Sequence, residues 1–140
     1  MGPRPNAPLL QHSIFFASFP LAEPPASHYS LLAMKVLITG GAGLVASHFA
    51  RRFARDHEVL ALTHRELDIA DGESVHRRVA DFHPDLMING AVIQVDEADE
   101  KPAKAQAVNA DGPRFLAEAA NRTGAEIIHF STQYAFEGEP

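Results

Sequence analysis

From residue 35 onward the chain alternates short β-branched apolar runs with segments of helical period, and this rhythm restricts the fold more than any other feature. Residues 35–39 (Lys-Val-Leu-Ile-Thr) are continuously apolar up to Thr39, as a strand buried on both faces of a parallel sheet requires. Residues 44–56 place Leu44, Val45, Phe49 and Phe53 at helical spacing, with Arg51, Arg52 and Arg55 on the wet side. A second strand is predicted over residues 57–63. A helix follows over 72–82, with Val75, Val79 and Phe82 inward and Pro84 just past its end. Residues 85–89 read as a third strand, 102–121 as one long helix with Pro102 at its start and Gly124 beyond its end, and 126–131 as a fourth strand. The expected fold class is therefore α/β: an open parallel sheet of about four strands with flanking helices and right-handed crossovers.

Composition narrows the functional classes. The formal net charge is −6, with no clustered Lys/Arg of the kind a nucleic-acid backbone demands, so no nucleic-acid partner is expected. There is no cysteine, which excludes disulfides and thiolate metal sites and permits a reducing compartment. No apolar run is long enough to span a bilayer, so no membrane partner is expected. The histidines His48, His57, His64, His76, His83 and His129 share no metal-ligand spacing, and no metal site is expected. The first 33 residues stand apart, with six of the ten prolines (Pro3, Pro5, Pro8, Pro20, Pro24, Pro25). They read as an unstructured leader, or as a stretch upstream of a true start at Met34. A signal peptide fits less well, because Pro20 interrupts the apolar stretch and Arg4 is the one basic residue before it.

In open α/β sheets, ligands bind beyond the carboxyl ends of the strands. The residues suited to chemistry fall there: 40–43, 63–65, 89–92 and 131–134. Thr39-Gly-Gly-Ala-Gly-Leu-Val-Ala46 joins a strand to a helix. Gly40 permits the tight turn and Gly43 the approach of a pyrophosphate to the helix N-terminus, while Ala46 lets helix and strand pack closely. This pattern predicts a dinucleotide site; a plain strand-to-helix turn is the alternative. At the end of the second strand, Arg65 stands where an acidic residue would read a ribose hydroxyl, which favours a 2′-phosphate; Glu66 beside it argues the other way. Asp68 is read either as an adenine contact or as a turn cap, and Asp71 as the N-cap of the 72–82 helix. The small residues of Asn89-Gly-Ala-Val92 would let a cofactor lie against the backbone, or simply pack tightly. Asp96, Glu97, Asp99 and Glu100 are expected to form a solvated acidic cap before a helix. Pro113 lies within the long helix and cannot donate to the Asn109 carbonyl, which is left free for water or a neighbour. His129 is expected to be a core or core-edge residue of the fourth strand.

Five motifs occur in a telling order: Met34-Lys-Val-Leu-Ile-Thr-Gly, Leu67-Asp-Ile-Ala-Asp, Asp85-Leu-Met-Ile-Asn, Val108-Asn-Ala-Asp-Gly-Pro, and His129-Phe-Ser-Thr-Gln-Tyr-Ala-Phe-Glu-Gly138. Together they resemble the extended short-chain dehydrogenases, and most of all the dTDP-4-dehydrorhamnose reductase (RmlD-like) branch, over residues 34–140. The resemblance implies a Rossmann-type NAD(P)-binding domain, here its N-terminal part, and hydride transfer between NADP or NAD and a keto group on a nucleotide-linked sugar. By the same resemblance Gly40, Gly43, Leu44 and Val45 meet the pyrophosphate, Asp68 and Ile69 the adenine, and Gly90, Ala91 and Val92 line the cofactor. Thr132 would be the catalytic hydroxyl that hydrogen-bonds the substrate carbonyl as it gains negative charge, and Gln133 a substrate-binding position. A cytoplasmic setting, with a homodimer of the complete protein, belongs to the same expectation.

Departures from the family pattern are also legible. Gln133 replaces the usual Asp, Gly90 a common Ala, and the loop over 93–95 is one residue shorter. The family's Tyr-x-x-x-Lys proton donor has no counterpart, because Ala33 and Gly138 follow Tyr29 and Tyr134 by four residues. The 140 residues are thus expected to be the cofactor half of a longer enzyme, inactive alone. A non-catalytic NAD(P)-binding regulatory module and an NAD-dependent sugar epimerase or dehydratase are the alternatives.

Overall fold

The computed structural model describes residues 33–131. The expected Pro-rich leader, apart from Ala33, and the positions Thr132, Gln133 and Tyr134 with their expected roles lie outside the described residues. The elements run β1 (Lys35–Thr39), α1 (Leu44–Phe53), β2 (Glu58–Leu62), α2 (Gly72–Phe82), β3 (Leu86–Asn89), α3 (Val95–Glu100), α4 (Pro102–Gln106), a π-helical turn (Ala107–Asp111), α5 (Gly112–Thr123) and β4 (Glu126–His129). All strand pairs are parallel, in the order β2-β1-β3-β4. The expected α/β sheet with flanking helices is what forms, a Rossmann-like arrangement.

The two faces of the sheet follow from strand alternation. Val36 and Ile38 of β1, with Leu86 and Ile88 of β3, pack under Ala46, Phe49 and Phe53 of α1. Leu37 and Met87 point the other way and meet Val75 and Val79 of α2 and Leu116, Ala119 and Ala120 of α5. Burial on both faces is why β1 reads as a solid apolar run. The chain leaves β1 toward β2 on one side and, later, toward β3 on the other. The strand order therefore reverses beside β1, and the crevice opens between the carboxyl ends of β1 and β3.

Several boundaries differ from expectation. α1 stops at Phe53 rather than residue 56, and the N–H groups of Asp56 and His57 both turn back to the Phe53 carbonyl. Leu44 and Val45 are not core residues: they are 86% and 51% exposed at the start of α1, and Ala46 is the buried one. The acidic stretch is itself a helix, α3, with Asp96 and Glu97 in its first turn, where the helix dipole favours them. Glu97 also holds Lys101 at 3.2 Å and Lys104 at 2.9 Å, and the hydrogen bonds from these two ammonium groups, Lys104 foremost, keep its carboxyl below the usual range. β4 ends at His129, two residues early.

The single long helix expected over 102–121 is three pieces. Pro113 brings no N–H to the ladder, and the chain absorbs this with a π turn in which Gly112 donates to the Ala107 carbonyl, five residues back. Asn109 stands on this turn, and its side chain makes a contact that the sequence did not suggest. Asn109 Nδ2 donates to the Ile93 carbonyl at 2.9 Å, and the Ile93 N–H donates to Asn109 Oδ1 at 2.8 Å. This two-point clamp fixes the loop that follows β3.

Asp71 caps α2 as expected, accepting from the N–H groups of Glu73 and Ser74 and from the Ser74 hydroxyl at 2.6 Å. Those bonds, the Ser74 side chain first, hold its pKa below the usual carboxylate value. The stabilisation is therefore present above the ordinary Asp pKa and is lost as pH falls through the lowered one. Asp71→Ala should lower Tm by a few degrees at pH 7 and by much less at pH 2, measured by circular dichroism melting. Equal shifts at both pH values would remove the cap from the account.

Candidate functional site

The glycine loop takes its shape from one close approach. Gly40 has φ +66°, and a Cβ there would lie 2.6 Å from the Gly90 carbonyl oxygen and 2.7 Å from the Ala91 nitrogen. β1 and β3 therefore leave the sheet with their backbones almost touching, which requires glycine at position 40. Gly90 is tight, though less so, on the other side, where a Cβ would meet Ala46 Cβ at 3.0 Å and the Thr39 carbonyl oxygen at 3.1 Å. An alanine at position 90 would require α1 to give by a few tenths of an ångström.

α1 begins over this contact. Its N-cap Gly43 supplies no side-chain hydrogen bond, and its first turn holds no acidic residue. The N-terminal partial charge is thus not neutralised by the helix's own side chains, in contrast to α2 with Asp71 and Glu73. A cradle of backbone N–H groups and glycines, without competing carboxylates, suits an anionic diphosphate.

Two cavities flank the loop. One, of about 360 Å³, is lined by Gly40, Ala42 and Gly43, by His64, Leu67, Asp68 and Ile69, and by Lys104 and Val108. The second, of about 520 Å³ and mostly apolar, is lined by Val45, Asn89, Asn109, His129, Phe130 and Ser131. Gly90, Ala91 and Val92 line both, so the cavities meet along the backbone that leaves β3.

The structure brings together most of the residues singled out from the sequence. Gly40, Gly43, Asp68, Ile69, Gly90, Ala91 and Val92 line the first cavity, and Val45 the second. Leu44 is at the start of α1 but in neither wall, and Arg65 is exposed and also in neither. His64, its neighbour, is the residue in the wall, with Nδ1 3.8 Å from Asp68 Oδ1. Glu66 turns back onto the strand end, accepting from the Thr63 N–H and hydroxyl at 2.8 Å each, which lowers its pKa, the backbone bond most. Glu66, too, is in neither cavity wall. Asp68 accepts from the Ala70 N–H at 3.0 Å, so it shapes the turn as well as lining the cavity. Among the described residues, no group of three or more His, Cys, Asp or Glu is placed to hold a metal, and no helix is long and apolar enough to cross a membrane.

Sequence reasoning missed Lys104, Asn109 and the roles of Asn89 and His129. Lys104 lies on α4 and Asn109 on the π turn, two pieces of what the sequence read as one helix. Asn89 carried a signal that was available: an amide at the end of an otherwise apolar buried strand must find partners.

Comparison with known proteins bears on the family and the fold. Residues 34–140 match the family model of the RmlD substrate binding domain. Over 120 residues the chain is 44% identical to a dTDP-4-dehydrorhamnose reductase of Mycolicibacterium smegmatis, covering 81% of this chain and 36% of that protein. A dTDP-4-dehydrorhamnose reductase of Bacillus anthracis, solved in complex with NADP, superposes with a TM-score of 0.72 at 27% identity, over 78% of this chain and 40% of that one. A Clostridium acetobutylicum dTDP-4-dehydrorhamnose reductase superposes with a TM-score of 0.71 at 35% identity, over 76% and 39%. The chain thus spans about a third of the length of the curated relatives it matches.

Proposed function

The chain belongs to the RmlD substrate binding domain family, and from that premise we propose that residues 34–140 are the NAD(P)-binding part of a reductase acting on a dTDP-linked keto sugar. The observation that carries the reading is the cleft at the point of strand reversal, where Gly40 and Gly90 bring two strand ends into contact beneath an uncapped helix N-terminus. In this reading the pyrophosphate lies on Gly40, Gly43 and the first N–H groups of α1, with Leu44 and Val45 supplying backbone there. The adenosine end lies along Asp68 and Ile69, and the nicotinamide end enters the apolar cavity past Gly90, Ala91 and Val92. The cofactor, NADP or NAD, supplies hydride when bound. The Thr132 hydroxyl would donate to the carbonyl oxygen as charge develops on it, and Gln133 would contact the sugar. A nucleotide sugar is then the small-molecule partner, the setting cytoplasmic, and the complete protein a homodimer.

Isothermal titration of the 140-residue chain with NADPH and with NADH tests the cofactor reading. Saturable binding of at least one is expected; none of either up to about 1 mM would sink it. Arg65→Ala should change NADPH affinity by less than about fivefold, because an exposed cation outside the cleft wall contributes little. A larger loss would return Arg65 to the 2′-phosphate. Reduction of a dTDP-4-keto sugar by these 140 residues alone should be below detection, since neither Tyr29 nor Tyr134 has a lysine four residues on. Ordinary turnover in a coupled NADPH assay would contradict that.

A further inference from the structure

Among the described residues, Lys104 is the one lysine or arginine in the wall of either cavity. It shares the wall of the first with Gly40 and Gly43, below an α1 N-terminus that has neither a side-chain cap nor an acidic residue in its first turn. Backbone N–H groups and an ammonium are donors only, and together they suit a phosphate. Lys104 is not idle in the absence of one. Its Nζ donates to Glu97 Oε1 at 2.9 Å, and Lys101 Nζ donates to the same oxygen at 3.2 Å. Neither Glu97 nor Lys101 lies in a cavity wall, so the pairing draws the Lys104 ammonium toward a group outside the cleft.

We propose that Lys104 is a cofactor-binding residue whose ammonium takes a cofactor phosphate, and that Glu97 competes for the same ammonium and holds it until the cofactor arrives. The proposal rests on the cofactor reading above. Its physical content is an exchange of partners that costs little. The Lys104 side chain is 46% exposed, and an ion pair this open to water contributes little to stability. Glu97 divides a single charge between two lysines, whereas a phosphate brings a charge of its own. When Lys104 leaves, Lys101 remains on Glu97, so the carboxylate is not stranded. No neighbour does this work as well. Arg65 is in neither wall, and the His64 ring in the first wall already stands beside Asp68.

The test is calorimetric titration of NAD⁺ and of NADP⁺ into the 140-residue chain at low salt. Lys104→Gln should weaken binding about three- to tenfold, the worth of one charge-assisted hydrogen bond at a half-exposed site. That loss should shrink as salt rises toward about 0.5 M, and Lys104→Arg should recover most of it. Lys101→Gln removes the same charge from the same carboxylate but outside the wall, and should stay within about twofold of wild type. Glu97→Gln should tighten binding about two- to threefold, because the ammonium is no longer contested. This gain should vanish when Lys104→Gln is added. A pair that merely braced α3 against α4 would weaken binding whichever partner was removed, so opposite signs are the signature of competition. Equal losses for both cofactors in Lys104→Gln assign the contact to the diphosphate; a loss for NADP⁺ alone assigns it to the 2′-phosphate. Unchanged affinity in Lys104→Gln, an equal loss in Lys101→Gln, weaker binding in Glu97→Gln, or a gain that survives Lys104→Gln overturns the proposal. Failure of both cofactors to bind wild type would instead strike the cofactor reading itself.

Discussion

Gly40→Val is expected to abolish cofactor binding and to destabilise the fold by about 3 kcal/mol or more. Two terms combine. A β-branched residue held at positive φ is strained by about 1–3 kcal/mol, and Gly40 has φ +66°. The added Cβ would also sit 2.6–2.7 Å from backbone atoms of Gly90 and Ala91, which cannot rotate aside as a side chain could. Relief must come from parting β1 and β3 at the cleft. Gly43→Ala is the informative companion. Position 43 has φ −72°, and a Cβ there meets only the Gly40 carbonyl oxygen, at 3.1 Å. It should unfold nearly as wild type does, yet bind cofactor more weakly if a diphosphate lies against that backbone. Urea unfolding with parallel calorimetric titration separates the two. Wild-type stability of Gly40→Val would mean that the contact is not as drawn.

Gly112→Val tests whether the π turn communicates with the cleft. A Cβ at Gly112 would lie 2.6 Å from Ile69 Cδ1 and 3.3 Å from the Ile69 carbonyl oxygen. Ile69 is only 3% exposed, so its side chain has little room to retreat. Overpacking of this kind costs about 1–3 kcal/mol. Ile69 also lines the first cavity, at the end proposed for adenosine. The substitution should therefore weaken AMP and NAD⁺ binding alike, although position 112 is not in the cavity wall. Loss of stability with unchanged AMP affinity would show that the strain is absorbed away from the cleft.

Much of this was legible without coordinates. The alternation of apolar runs and helical segments implied a parallel sheet, and the ends of β1 and β3 marked the cleft, because local propensity and burial agree along the central strands. Asp71 was legible as a cap because its partners, Glu73 and Ser74, are neighbours in sequence. The reading faltered where distant groups decide. Leu44 and Val45 have helical apolar spacing but stand exposed in the first turn of α1, which spacing within the helix does not reveal. Arg65 and His64 are adjacent in sequence, and only the turn made by Thr63 and Glu66 determines which one lines the cavity.

The order of strands and helices, the need for glycine at the first turn and the family were thus determined by the sequence itself. They depend on residue period, backbone freedom and ordered motifs. The tertiary structure alone decided three things: the phase of the broken helix around Pro113, the contact that makes Gly40 and Gly90 mutually dependent, and the hydrogen bonds that join the side chains of Thr39, Asn89 and His129 across the sheet. Each depends on groups 16 to 50 residues apart. Hydrogen bonds at such separations are set by strand register and helix docking, which a local pattern does not encode.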